Sequence, residues 1–231
     1  MLNGKVVFIS GVNNLFAVTV AKRYAKEGAQ LIICGDDNQI LANAAEEITE
    51  MGNEVIPFKL SYIDIEKKSI SHIKSSVDNF FGRLDILVIL DIHLYSNHYL
   101  RLSDYSYEDW EKIENINYRI PLYLLHAFDS FLRTADLGKV VFLGNLLLED
   151  KKSYLAPYHS SRAALYSVFQ SYAKEISGTN MKVNMVLPCI SDLNNEDLFS
   201  LDILKQNITD IFVKLSSNEC KTSGVLHNAI Y

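Results

Sequence analysis

Val6-Val7-Phe8-Ile9, running into Ser10-Gly11, sets the frame for the rest of the chain. Four apolar residues, three of them β-branched, precede a glycine. The next apolar pattern, Ala17 to Glu27, has the longer spacing of an amphipathic helix. The same pairing recurs as Leu31-Ile32-Ile33-Cys34 with Gln39 to Glu50, and as Val55 to Leu60 with Asp64 to Phe81. Short β-branched runs alternating with helical stretches mean βαβ units. The alternation continues through Ile86 to Leu90, a helical stretch from about Ser106 to Arg133, Val140 to Leu143, a helix from about Ala156 to Ser177, and Val183 to Leu187. Strands this apolar are covered on both faces. The expectation is an α/β chain: a doubly wound parallel sheet of about seven strands with helices on both faces. At 231 residues, one domain spanning 1–231 suffices.

Composition narrows the class of partner. Lys and Arg number 22 against 28 Asp and Glu, a formal charge of -6, which would repel a phosphate backbone. Nucleic acid is therefore excluded as an expected partner. Cys34, Cys189 and Cys220 are far apart with no CxxC pair, which suits reduced thiols in a cytoplasmic protein. Met1 to Ser10 has no basic region leading a long apolar stretch, and no later run reaches the roughly 18 apolar residues of a membrane span. No membrane association is expected.

Tyr158-His159-Ser160-Ser161-Arg162 is the segment richest in chemistry. Four residues along a helix bring Tyr158 and Arg162 onto one face, where a permanent cation should favour the phenolate. A tyrosine so placed can act as an acid or base. His159 points away from Tyr158 and is expected at the surface or at an interface. Pro121 removes a backbone donor inside the long helix, so a kink is expected near Asn117. Asp91, His93 and His98 fit no standard zinc spacing, and no metal is expected. Tyr166, Phe169 and Tyr172 read as helical packing.

Asp85-Ile86-Leu87-Val88, Trp110 followed by Asn117, Gly138-Lys139-Val140-Val141, Tyr158, and Lys182-Val183-Asn184 with Pro188 stand in an order and at spacings that resemble the short-chain dehydrogenase/reductase superfamily in its compact single-domain form. The resemblance covers nearly the whole chain and implies a Rossmann-like fold. It also implies a catalytic set of Tyr158, Arg162 in place of the family's lysine, Asn117 as the active-site asparagine, and Asn145 in place of its serine. The implied cofactor contacts are Gly11, Asn13 and Asn14 in the first loop, Asp36 after the second strand, Ser61 after the third, and Pro188 after the sixth.

Departures from the family pattern are concentrated around the cofactor. Leu15 and Ala17 occupy the second and third glycine positions of the loop Ser10 to Ala17. A leucine there should crowd the phosphates, and a positive φ would strain it by roughly 1–2 kcal/mol. Ile89-Leu90-Asp91-Ile92 replaces the family's Asn-Asn-Ala-Gly, and Cys189 replaces a glycine. No dinucleotide is expected to bind tightly. Asp36 and Asp37 would meet a 2′-phosphate, so NAD(H) is favoured over NADP(H). The segment after Pro188 is short, which implies an open cleft or one covered by another chain.

The leading expectation is a divergent member of this fold that has lost ordinary NAD(P)-dependent catalysis and serves as a binding, regulatory or scaffold subunit. The alternative is an oxidoreductase of a small carbonyl or alcohol, with Tyr158 as acid/base, Arg162 as its electrostatic partner and Asn145 as oxygen-binding donor. The resemblance further implies a homodimer or homotetramer built on the two long helices, an interface that Ile113, Ile116, Ile120, Leu124 and the later aromatics are apolar enough to support, although core packing also explains part of the pattern. A separate protein partner belongs to the scaffold reading.

Overall fold

A computed structural model describes residues 1–62, 67–92, 100–144, 154–188 and 202–229. Seven strands, β1 (Val6–Ser10), β2 (Gln30–Gly35), β3 (Val55–Lys59), β4 (Ile86–Ile89), β5 (Lys139–Leu143), β6 (Lys182–Pro188) and β7 (Val225–Ala229), form one sheet in the order β3-β2-β1-β4-β5-β6-β7. Every neighbouring pair is parallel. The strand order reverses between β1 and β4, and open sheets of this kind bind ligands at the carboxyl ends beside that reversal.

Alternation along the strands fills both faces. Val7, Ile9, Leu31, Ile33 and Val88 pack under α1 (Leu15–Lys26), α2 (Asn38–Glu50) and α7 (Asp202–Ser216). Val6, Phe8, Ile32, Leu87 and Phe142 pack under α3 (Lys67–Phe81), α5 (Ile120–Thr134) and α6 (Ala156–Glu175). Side chains two apart in a strand share a face, so these runs of apolar residues make two separate cores.

The long helix read from the sequence is three pieces. α4 (Tyr107–Glu114) opens on a capping box between Ser106 and Asp109, a π turn spans Asn115–Arg119, and α5 follows. Pro121 cannot donate to the carbonyl of Asn117, and the Ile120 amide donates instead to Asn115, five residues back. The kink expected near Asn117 falls at this turn.

The apolar residues assigned to a subunit interface have another use. Ile113, Ile116, Ile120, Leu124, Phe169 and Tyr172 are each at most 8% exposed within one chain, so they build its own core and leave no outward stripe of their own. The carboxyl-terminal segment forms β7 beside β6. Among the described residues no helix is long and apolar enough to cross a membrane.

Candidate active site at the carboxyl edge of the sheet

The exits of β1 and β4 meet at the reversal point with almost no space between them. A Cβ on Gly11, whose φ is +81°, would lie 2.5 Å from the Asp91 amide nitrogen. A glycine is required there by both contact and conformation. Asn13 turns its side chain sideways: its Oδ1 accepts the Asp36 amide at 2.7 Å and the Asp37 amide at 3.4 Å, tying the first loop to the exit of β2. Asn14 is the N-cap of α1, its Oδ1 accepting the Ala17 amide at 2.9 Å. Asp37 caps α2 through the Gln39 and Ile40 amides, which leaves Asp36 as the acidic side chain not committed to a cap.

Leu15 departs from its expected role. It is the first residue of α1, with no positive φ, and it is 69% exposed in the groove between α1 and α7 beside Thr19 and Lys22. Glycine's left-handed conformation is not needed where a helix has already begun, so the anticipated strain is absent. Among the described non-glycine residues only Tyr154 has a positive φ, at 68°. The Tyr105 hydroxyl donates to the Tyr154 carbonyl at 2.8 Å and so fixes the entry into α6.

Tyr158 and Arg162 lie on one face of α6, each 2% exposed. Tyr158 packs with Ile113 and Leu155, against Ile92 and Tyr105. Burial pushes its phenol up to about 12, and the opposing pull of the Arg162 cation is the smaller effect. The phenolate expected from sequence is thus not what the site favours: Tyr158 is a neutral proton donor near pH 7. The guanidinium of Arg162 does not reach the phenol to hydrogen-bond it. Nη1 donates to the Asp91 carbonyl at 3.0 Å and Nη2 to the Leu143 carbonyl, joining the ends of β4 and β5. Burial also lowers the Arg162 pKa from its ordinary value.

Sequence reasoning missed the group at the centre of this edge. Asp91, 1% exposed, accepts from the Ser10 hydroxyl through Oδ2 and from the Tyr62 hydroxyl through Oδ1 at 2.8 Å. Burial raises its carboxyl to about 6 against the hydrogen bonds of Ser10 and Tyr62. Burial, then the charge of Asp91, raises Tyr62 and Cys34 well above their ordinary values. A single carboxylate inside Ile89-Leu90-Asp91-Ile92 was the available signal, and it was read as part of a departure from the family's Asn-Asn-Ala-Gly and as a metal-ligand candidate.

The remaining assignments divide. Asn117 is fully buried in the π turn that packs on α6, its Nδ2 donating to the Ile113 carbonyl at 3.1 Å. Ser61 follows β3, and Pro188 ends β6 opposite Ala229. Asn145, Cys189, His93 and His98 lie outside the described residues. His159 is 8% exposed with its ring 5.7 Å from that of Tyr158, so the surface placement was wrong: the opening turn of α6 is enclosed on both sides.

The short chain dehydrogenase family model matches residues 5–197. The chain belongs to the short-chain dehydrogenase family. An uncharacterized oxidoreductase of Staphylococcus epidermidis is 25% identical over 189 residues, covering 81% of this chain and 78% of its own. A short-chain dehydrogenase from Salmonella enterica serovar Typhi superposes with a TM-score of 0.87 at 19% identity, over 100% of this chain and 97% of its own. A metagenomic short-chain oxidoreductase solved in complex with NADP superposes with a TM-score of 0.84 at 20% identity, over 100% and 99%.

Proposed function

We propose that this chain is an oxidoreductase that uses a nicotinamide dinucleotide to interconvert a small carbonyl and its alcohol, with Tyr158 as the proton donor and acceptor. The observation that carries the reading is Tyr158 itself: a buried phenol, kept neutral, at the carboxyl edge of a parallel sheet in a short-chain dehydrogenase chain. Support for a dinucleotide at this edge comes from Gly11, which turns the loop, and from the amino end of α1, a helix terminus that favours anions, with Leu15 turned aside. Gly11, Asn13, Asn14, Asp36, Ser61 and Pro188 would hold it. Bound there, a nicotinamide supplies or accepts the hydride.

This chain's residues do the rest. Tyr158 gives its proton to the oxygen of the substrate as the carbonyl is reduced and takes it back in oxidation. Arg162 favours the phenolate left behind, and Asn145 serves as an amide donor to the same oxygen. The apolar surroundings of Ile92, Ile113, Leu155 and Tyr105 keep water from the phenol. Selectivity is pulled two ways: the metagenomic neighbour was solved with NADP, while Asp36 here would oppose a 2′-phosphate. We place the protein in the cytoplasm, as its reduced, buried Cys34 and Cys220 suit, and as a homodimer or homotetramer, as the family resemblance implies.

A second reading, a binding or scaffold subunit without turnover, has its own support. Both Arg162 terminal nitrogens are committed to carbonyls, and the Asn13 oxygen to the exit of β2, so ligand groups would have to displace them. Calorimetric titration with NAD, NADH, NADP and NADPH, followed by a carbonyl screen with whichever binds, separates the two. Micromolar binding with turnover that drops about 100-fold or more in Tyr158→Phe supports the first. Absence of binding to all four leaves the second, and its partner becomes a protein.

A further inference from the structure

We propose that Asp91 is a positioning residue: its carboxylate, clasped by Ser10 and Tyr62, is the buried counter-charge that holds Arg162 in place and offsets the pull of that cation on the Tyr158 phenol. The inference rests on reading Tyr158 as the acid/base of the site. It adds a residue to which the family pattern gives no side-chain role, since the position resembles the family's alanine.

The argument begins with a charge that needs an explanation. Arg162 is 2% exposed, and among the described residues its terminal nitrogens meet the dipoles of two backbone carbonyls, those of Asp91 and Leu143. Burying a cation against carbonyl dipoles is unfavourable unless an opposite charge lies near. Among the described residues, the titratable groups that act on Arg162 are Tyr158 and Asp91. Tyr158 is neutral, so Asp91 carries the balancing charge.

Asp91 is fixed as a counter-charge should be. The groups facing its carboxylate come from every strand end around it: Ser10 from β1, Cys34 from β2, Tyr62 from the exit of β3, and Arg162 from α6. The two hydroxyls donate and cannot neutralise it. Its own carbonyl takes Nη1 of Arg162, so one residue provides both the hydrogen bond and the charge. Tyr62 reaches Asn13 as well, which links the anion to the first loop. With Asp91 ionised, the cation beside Tyr158 is balanced and the phenol keeps its proton. With Asp91 neutralised, the Arg162 cation acts on the phenol without that opposing charge, and the phenolate becomes easier to form.

The test follows the ionisation of Tyr158 in the full chain, by nuclear magnetic resonance of ring-carbon-labelled tyrosine, with Tyr158→Phe to assign the signal. Asp91→Asn and Asp91→Ala are each expected to lower the Tyr158 midpoint by about half a unit or more, and Asp91→Glu to leave it near the wild-type value. A midpoint that stays put or rises in folded Asp91→Asn and Asp91→Ala overturns the proposal. So does failure of both to fold, because a positioning role requires the fold to survive neutralisation. Turnover is recorded on the same samples. A shifted midpoint in protein that turns over no substrate keeps the counter-charge and removes the oxidoreductase reading, whereas an unshifted midpoint in active protein removes the counter-charge.

Discussion

Strand β4 has a buried aspartate just outside each end, and the two are satisfied in opposite ways. Asp85, at the amino edge, is 0% exposed and meets two cations and an amide: Lys5 Nζ at 3.4 Å, Arg83, and the Val6 N–H at 2.9 Å. Asp91, at the carboxyl edge, is 1% exposed and meets two neutral hydroxyls, with its cation reaching the backbone carbonyl instead. The same side chain, flanking the same strand, is held by partly exposed cations at one end and by neutral hydroxyls at the other. Lys5 and Arg83 are 20% and 50% exposed, so water shares the charge at the amino edge. At the carboxyl edge Tyr158, Arg162 and Asp91 are all shut away, which is the environment in which pKa values move and proton transfer can be tuned.

The comparison predicts different responses to pH and to mutation. Asp91 has a folded pKa of about 6 against an ordinary 3.8, so the fold binds its proton more tightly than the unfolded chain does. The stability this adds is fully present below about pH 4 and is lost as pH rises through about 6. Each unit is worth about 1.4 kcal/mol, so the swing is about 3 kcal/mol. Urea denaturation at both ends of that window should show wild type losing ground to Asp91→Asn as pH rises. Equal slopes for the two proteins would mean that Asp91 is solvated after all. Asp85→Asn should be destabilising by about 2 kcal/mol at neutral pH, less than for a fully enclosed pair because Lys5 and Arg83 can rehydrate. It should leave the Tyr158 midpoint and dinucleotide binding unchanged. A change in either would erase the distinction between the two edges.

The architecture was legible because it depends on patterns that repeat. The apolar runs of β1 to β6 and the helical stretches between them carry the sheet and its two covered faces, and Pro121 marks the π turn at Asn117. Side-chain direction was less legible. Leu15 was judged by its alignment to a glycine position, but helix geometry at residue 15 turns it outward. Tyr158 was judged by its spacing to Arg162, but burial outweighs the neighbouring cation, and burial is a property of everything packed around α6. Asp91 was hidden for a related reason: its partners Ser10 and Tyr62 are 81 and 29 residues away in sequence, and nothing local announces them.

Leu15 gives the smallest effect and the sharpest check on how the carboxyl edge is built. Its alignment to a family glycine made it the main obstacle to a pyrophosphate, whereas its helical start and 69% exposure put its bulk in the groove beside α7. Leu15→Gly should then change dinucleotide affinity by less than about threefold, equivalent to roughly 0.6 kcal/mol, with a stability loss below about 1 kcal/mol for glycine entering a helix. Calorimetric titration of both proteins with the same dinucleotide measures the first, and urea denaturation the second. A tenfold or larger tightening would mean that the leucine side chain swings over the amino end of α1. The obstacle to a cofactor would then be that single side chain, and the bonds that commit Asn13 and Arg162 would matter less than they do in the description given above. No gain in affinity places the limit at those two residues, where the exits of β1, β2, β4 and β5 are tied together.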